Sequence, residues 1–307
     1  MTRFLITGAS GLLGLNMALQ LTDEGHVVFG VVHQNPLQNV PFTAVHADLA
    51  QNTEVNRLLE MSSPDVVIHC AALANIDICE TQPELAIRLN AELPGYFAAA
   101  ASRTGVQFVH ISTDAVFDGQ RGNYFEIDAA HPINAYAQTK LTGERKVSEA
   151  NPDAIIARVN FYGWSLRGQR SLAEWFHRNL SDGNVIKGFT DVFFCPLFVG
   201  DLVDILQRMV QKKLNGIYHV LSPESLSKYD FGRRIALQFG FDDKLITPIS
   251  VEEGGLKAVR SPNLTLRTDK LVHDLGMPLP DQTSGLQRFY QQAQQDYPAQ
   301  LAAYILD

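Results

Sequence analysis

The chain has 307 residues, of which 46% are hydrophobic, and it carries a formal net charge of −8. This length allows one large α/β domain or a cofactor domain with a smaller companion, and the apolar residues suffice for a sizeable core. Acidic and basic residues are interspersed along the chain, so the charge pattern argues against a nucleic-acid partner.

The cysteines and the apolar runs bear on the compartment. Cys70, Cys79 and Cys195 form no close metal-type cluster and favour free thiols in a reducing compartment. The first apolar run lacks the basic region of a signal peptide, and no run approaches the ~18 residues of a membrane span. We therefore expect a cytoplasmic protein with no membrane partner and no metal site.

A strand, a glycine turn and a helix open the chain. Residues 4–6 form an apolar strand, and Gly8, Gly11 and Gly14 follow before a helical pattern. Such glycines permit a sharp turn, close approach of a pyrophosphate and tight helix packing, and the helix start offers free N–H groups to phosphates. An ordinary βα turn is the alternative. The predicted cofactor-binding residues of this turn are Gly8, Ser10, Gly11, Leu12, Leu13 and Gly14.

The ends of the next two strands bear on the choice of cofactor. A predicted strand at residues 26–33 ends in His33 and lacks the terminal carboxylate that usually holds the ribose of NAD, which favours NADP. After a short strand at residues 42–46 come Asp48 and Leu49. Asp48 either accepts from the adenine amino group or caps the following helix.

Strands and helices alternate through the first half of the chain. Further strands are predicted at 65–72, 106–112 and 154–159, and a helix at 83–102 kinked at Pro94 and ended by Gly105. This alternation predicts an α/β fold, a doubly wound parallel sheet of the Rossmann type. We assign residues 1–160 to an NAD(P)-binding Rossmann domain. Residues 161–307 form mainly a smaller C-terminal substrate-binding domain, with some segments packing back on the sheet.

Tyr136 and Lys140 are the candidate catalytic pair. They share one face of a helix predicted to open at Pro132, after the fifth strand. A nearby ammonium favours the phenolate and is expected to lower the pKa of Tyr136. A surface tyrosine–lysine pair is the alternative. Ser112 and Thr113, at the end of the fifth strand, offer hydroxyls to a reacting oxygen.

Three segments carry a family resemblance: TGASGLLG at residues 7–14, STDAVFDG at 112–119 and NAYAQTK at 134–140. They resemble the extended short-chain dehydrogenase/reductases and, among those, the dTDP-4-dehydrorhamnose reductase family. That family's R-P-x-N-x-x-L-x-x-x-K-L pattern is matched at 260–271, with the proline one place later. The resemblance implies NAD(P)H-dependent reduction of a keto group on a nucleotide-linked deoxysugar.

The resemblance also implies roles for individual residues. Thr113 matches the catalytic hydroxyl, Tyr136 the proton donor and Lys140 the ligand of the cofactor ribose. Both Tyr136 and Lys140 are also predicted to bind the cofactor. Asn90 matches a structural asparagine. Asp48 and Leu49 match the adenine contact, and the segment that lines the cofactor is Ala71, Ala72 and Leu73. The predicted substrate-binding residues are Asp114, Ala115, Asn160 and Arg260.

Two departures from the family pattern concern the substrate. Ala115 stands where the family usually has Tyr, and Asn160 is more typical of sugar-nucleotide epimerases. An epimerase is therefore one alternative. The other is a non-catalytic, NADP-binding regulatory subunit similar to the beta subunit of methionine adenosyltransferase. A homodimer is also expected.

Overall fold

The computed structural model of the chain describes residues 1–51, 53–254 and 261–306. Its strands are β1 Arg3–Thr7, β2 Val27–Val32, β3 Thr43–His46, β4 Val66–His69, β5 Gln107–Thr113, β6 Ile155–Val159, β7 Phe161–Tyr162, β8 Ile186–Phe189, β9 Phe193–Phe194, β10 Leu197–Phe198, β11 Gly216–Val220, β12 Leu226–Ser227, β13 Ile246–Ile249 and β14 Asn263–Leu264. Its α-helices are α1 Leu12–Asp23, α2 Thr53–Ser62, α3 Ile76–Thr81, α4 Pro83–Ile87, α5 Leu93–Thr104, α6 Ala135–Ala150, α7 Leu172–Ser181, α8 Val199–Gln211, α9 Lys228–Phe239, α10 Asp269–Leu275, α11 Gln282–Gln294 and α12 Tyr297–Ala302.

The central element is a seven-stranded sheet in the order β11-β6-β5-β4-β1-β2-β3. Every neighbouring pair is parallel, which confirms the predicted doubly wound Rossmann fold. The strand order reverses between β1 and β4, so the crevice for a ligand opens at the carboxyl ends of those two strands.

Both faces of the sheet are covered by apolar side chains. On one face Leu5, Val67 and Phe108 pack with Phe97 of α5. On the other, Ile6 and Val109 belong to a core that also contains Leu202 of α8 and Phe289 of α11. The C-terminal half therefore shares the sheet's core, and its strand β11 extends the sheet beside β6. The division into two domains at residue 160 stays a prediction.

Three predicted helices differ in detail from the structure. The helix predicted at 83–102 is instead α4, one π-helical turn at Arg88–Glu92 and then α5, with Pro94 in the first turn of α5. The helix predicted from Pro132 begins at Ala135, because the Asn134 side chain accepts from the Ala137 N–H and caps it. A single helix is predicted from the helical pattern of residues 285–304, but the structure has two helices there, α11 and α12, with Asp296 between them in the left-handed conformation.

Within the described part of the chain, none of the helices combines the length and the apolar character needed to cross a membrane.

Candidate functional site

The glycine turn between β1 and α1 is shaped by three close approaches. Gly8 has φ +70° and lies so near Ala71 that a Cβ would come within 2.9 Å of the Ala71 nitrogen. The Gly11 N–H donates to the Gly8 carbonyl at 2.9 Å. A Cβ on Gly14 would clash with that same carbonyl oxygen. Each predicted glycine therefore meets a steric need at its own position.

The start of α1 suits an anionic ligand. Its N-cap residue is Gly11, which has no side chain with which to cap the helix. The backbone N–H groups of Leu12 and Leu13, in the first turn of the helix, therefore have no intrahelical partner. Ser10 lies in the turn just before them. This cradle, open to backbone approach and closed to a Cβ, fits the pyrophosphate of a dinucleotide.

Thr7 holds the two strand ends together, and sequence reasoning missed it. Its hydroxyl oxygen accepts from the Ala71 N–H at 3.1 Å and lies 2.9 Å from Nδ1 of His69. These contacts join the end of β1 to the end of β4, where Ala72 is exposed. The available sequence signal was a polar threonine directly after the apolar run of the first strand.

Asn90 fixes the segment after β4, in agreement with its expected structural role. Its side chain accepts from the Leu73 N–H at 2.8 Å and donates to the Leu73 carbonyl at 3.0 Å. It also donates to the Thr139 hydroxyl at 3.1 Å. Gly143 of α6 makes room for this, because a Cβ there would clash with the Asn90 carbonyl oxygen.

His33 and Asp48 come together at the ends of β2 and β3. The Nε2 atom of His33 lies 3.9 Å from an Asp48 carboxylate oxygen, and both side chains are close to half exposed. The Asp48 carboxylate accepts from the Ala50 N–H at 3.0 Å, while Leu49 is buried. A carboxylate is thus present in space near the end of β2, although the strand itself lacks one.

Thr113, Asp114 and Asn160 form a hydrogen-bonded group at the end of β5. The Thr113 hydroxyl donates to Asp114 at 3.1 Å and accepts from the Ala115 N–H at 3.2 Å. The Asn160 amide donates to the other Asp114 oxygen at 2.7 Å. Asp114 is 3% exposed, and burial raises its pKa to about 6 against the lowering effect of these hydrogen bonds. Three of the four predicted substrate residues therefore lie together.

Tyr136 reaches this group, but its pKa moves opposite to expectation. Burial raises the pKa of Tyr136 to about 12, the Asp114 charge adds to the rise, and a hydrogen bond with Thr113 opposes it. The expected lowering by Lys140 is therefore wrong for this structure. The physical reason is that burial of the phenol has the largest effect, and Lys140 is not among the charged groups that shift its pKa.

Lys140 is buried beneath the site, with 2% of its surface exposed. Its Nζ donates to the Ile111 carbonyl at 2.6 Å and lies 3.4 Å from Nε2 of His110. Burial lowers the pKa of Lys140 to about 8, while the charge of Glu144 raises it. Tyr136 and Lys140 share the helix face that the i, i+4 spacing predicts, yet they contact different groups.

An ion pair missed by sequence reasoning supports α6 under the site. Arg158 of β6 donates to both Glu144 oxygens, the shortest distance being 2.8 Å, and Ser112 donates to Glu144 at 2.5 Å. Both charged side chains are at most 3% exposed. An arginine inside the apolar run of the sixth strand was the sequence signal for a buried partner.

Two further expectations concern Arg260 and a metal site. Arg260, predicted to bind the substrate, lies outside the described residues. Within residues 1–51, 53–254 and 261–306, no group of three or more histidine, cysteine or acidic side chains is placed to hold a metal ion.

Comparison with known proteins places this site in a family. The model of the RmlD substrate binding domain matches residues 2–295. The probable low-salt glycan biosynthesis reductase Agl14 of Haloferax volcanii is 34% identical over 90% of this chain and 93% of its own length. The dTDP-4-dehydrorhamnose reductase of Mycolicibacterium smegmatis is 31% identical over 93% and 84%.

A further relative and a solved structure extend the comparison. Methionine adenosyltransferase 2 subunit beta of Xenopus laevis is 31% identical over 82% of this chain and 77% of its own. The crystal structure of dTDP-4-dehydrorhamnose reductase from Bacillus anthracis, in complex with NADP, has a TM-score of 0.83 and 27% identity, covering 95% of this chain and 99% of that one.

These similarities confirm the predicted fold and the predicted class of NAD(P)-dependent oxidoreductase. The chain belongs to the RmlD substrate binding domain family, the family of the dTDP-4-dehydrorhamnose reductases.

Proposed function

We propose that the protein is an NAD(P)H-dependent reductase of a keto group on a nucleotide-linked deoxysugar, with dTDP-4-dehydrorhamnose or a close analogue as substrate. The observation that carries the proposal is the meeting of Thr113 and Tyr136 at the end of β5, above the buried Lys140. The relatives named as reductases support the same reaction class.

The side chains divide the work of reduction between them. A bound nicotinamide cofactor supplies the hydride that is added to the keto carbon. Tyr136 donates the proton to the keto oxygen, and its pKa of about 12 keeps the phenol protonated, as a donor requires. Thr113 hydrogen-bonds the same oxygen as negative charge develops on it. Lys140 holds the cofactor ribose.

The cofactor is proposed to be NADP, with NAD as the alternative. The glycine turn binds its pyrophosphate, and Ala71, Ala72 and Leu73 line it. His33 provides an imidazole at the end of β2, which favours a 2′-phosphate, whereas Asp48 within 3.9 Å of it favours the ribose or adenine. The NADP held by the Bacillus anthracis neighbour supports the first choice.

The substrate is proposed to lie against Asp114, Ala115, Asn160 and Arg260. The Asn160 amide donates a hydrogen bond to one Asp114 oxygen. A bound sugar would therefore contact the two side chains together. The small Ala115 leaves space where the family usually places a tyrosine.

A regulatory role is the second candidate function. The similarity to methionine adenosyltransferase 2 subunit beta favours it. The presence of Thr113, Tyr136 and Lys140 in one site weighs against a purely regulatory protein. A pull-down that yields a stoichiometric partner enzyme, with no turnover of any sugar nucleotide, would select this role. An epimerase would instead isomerise the sugar without net NAD(P)H consumption.

We propose a cytoplasmic location and a homodimer. Cys70, Cys79 and Cys195 are all free thiols, which supports work in the reducing cytoplasm. Homodimer formation stays a prediction.

A thermal-shift screen tests the ligand classes directly. NADPH and NADH are each combined with dTDP-, UDP- and GDP-linked sugars. A ligand at ~100 times its Kd stabilises the folded state by ~2.7 kcal/mol. We expect NADPH and a dTDP-linked keto sugar to raise the melting temperature together. No shift with either cofactor would contradict the proposed function.

A further inference from the structure

Beneath the catalytic residues lies a cluster of three basic side chains. Lys140, His110 and His69 are each at most 2% exposed. The rings of His69 and His110 stack with centroids 5.8 Å apart and an interplanar angle of 23°. His69 is tied in turn to Thr7, at the edge of the glycine turn, by the 2.9 Å contact with its Nδ1. The cluster thus connects the proposed ribose ligand to the strand ends that line the cofactor.

We propose that His110 is a positioning residue for Lys140: its unprotonated Nε2 accepts from the ammonium and, together with the Ile111 carbonyl, aims the remaining N–H at the cofactor. The inference rests on the proposed function, in which Lys140 holds the cofactor ribose. It adds a residue for which the family motifs imply no role.

The count of hydrogen bonds supports this arrangement. An ammonium has three N–H donors and no acceptor. The Ile111 carbonyl takes one at 2.6 Å, and Nε2 of His110, at 3.4 Å, is placed to take a second. One donor is left for a ligand. Because Nζ can only donate, the contact requires Nε2 to be the bare nitrogen and the proton of a neutral His110 to sit on Nδ1.

The charges around the cluster require both imidazoles to be neutral. Burial and the positive charge of Lys140 lower the pKa of His69 to about 3 and that of His110 well below its usual value. The groups that face Lys140 from its neighbours are His110 on β5, His69 and Cys70 at the end of β4, and Glu144 on its own helix. Burial raises the pKa of Cys70 to about 12, so that thiol is uncharged at neutral pH. Lys140 therefore carries the cluster's positive charge.

One nitrogen of each imidazole makes no hydrogen bond. Among the described residues, Nδ1 of His110 and Nε2 of His69 are buried and have no hydrogen-bond partner. An unpaired buried polar atom lowers stability, so two apolar rings would pack here at less cost. A histidine at position 110 makes sense where an acceptor for the ammonium is needed.

The pH dependence of NADPH binding tests the proposal without any sugar substrate. The Kd is measured by fluorescence titration from pH 6 to 10. In the wild-type protein, affinity falls as the pH rises through about 8, the pKa of Lys140. His110→Phe removes the acceptor and destabilises the ammonium, so the fall begins at a lower pH and binding at pH 8 is about tenfold weaker. His110→Gln supplies a carbonyl oxygen and keeps most of the wild-type curve.

His273→Gln, at an exposed site on α10, is the control variant and retains the wild-type curve. An unchanged curve in His110→Phe would overturn the proposal. Nitrogen NMR of histidine-labelled wild-type protein provides a second test that needs no variant. We expect His110 to be neutral with its proton on Nδ1 at pH 6 to 7, where Lys140 is an ammonium. A proton on Nε2 in that pH range would overturn the proposal even if the variants fail to fold. If neither NADPH nor NADH binds the wild type, the proposed function fails, while the NMR result still decides the role of His110.

Discussion

Tyr136 has a high pKa because its phenol is buried beside the Asp114 carboxylate. At neutral pH it is therefore a proton donor rather than a base, which suits reduction of a ketone. The reverse reaction would need the phenolate, and a cationic oxidised nicotinamide next to the ring would favour that form. The same residue therefore serves as proton donor in the reduction and as proton acceptor in the reverse reaction.

The buried pair Arg158–Glu144 is the residue-scale feature with the largest expected effect on stability. Arg158→Met leaves the Glu144 charge buried without its partner, which typically costs about 3–5 kcal/mol. The measurement is the free energy of unfolding from urea titration at pH 7. Arg57→Met is the matched control, because Arg57 pairs with Glu54 on the exposed side of α2 and its loss should give no measurable change. Similar stabilities for the two variants would contradict the account.

At the scale of elements, the contact between α6 and the π-helical turn sets the position of Asn90. Gly143→Ala would push the two backbones apart, because its Cβ clashes with the Asn90 carbonyl oxygen. We expect a lower melting temperature and about tenfold weaker NADPH binding, since Leu73 would lose its support.

The adjacent variant Thr142→Ala is the control for this prediction. Thr142 lies on the same helix, and its hydroxyl donates only to the Gln138 carbonyl one turn earlier. Alanine is the better helix former, so melting temperature and NADPH affinity should be retained. Equal effects of the two substitutions would show that the contact with Asn90 does not matter.

The elements also show what could be predicted from the sequence. The first six strands of the main sheet, β1 to β6, lie within a few residues of their predicted bounds, because buried parallel strands read as continuous apolar runs. The start of α6 was placed three residues early, since Pro132 and Asn134 both signal a helix start and only the Asn134 cap forms. The π-helical turn depends on packing against Gly143, which local sequence does not encode.

The candidate site was predictable in its positions and less so in its electrostatics. The spacing of Tyr136 and Lys140 places both on one helix face, as expected from α-helical geometry. The partners of Lys140 come from β5, and the burial that raises the Tyr136 pKa comes from the whole fold. Neither can be read from the distance between residues along the chain.

At the scale of the whole molecule, the shared core predicts cooperative unfolding. Both tryptophans, Trp164 and Trp175, lie in the C-terminal half, so their fluorescence reports mainly the unfolding of that half. Circular dichroism reports the helices of both halves. Because β11 extends the main sheet and one core joins Ile6 to Phe289, the two signals should change at the same temperature. An earlier fluorescence transition would indicate two units that unfold separately.

The central claim is that Tyr136 donates the proton in a reduction by NAD(P)H. The most direct measurement follows NADPH oxidation with dTDP-4-dehydrorhamnose for wild type and Tyr136→Phe, alongside the Kd of NADPH. Tyr96→Phe, at a half-exposed position on α5, is the control. We predict that Tyr136→Phe turns over about 10²–10⁴-fold more slowly while its NADPH affinity and the control stay unchanged. Turnover of Tyr136→Phe within a few-fold of wild type would contradict the account.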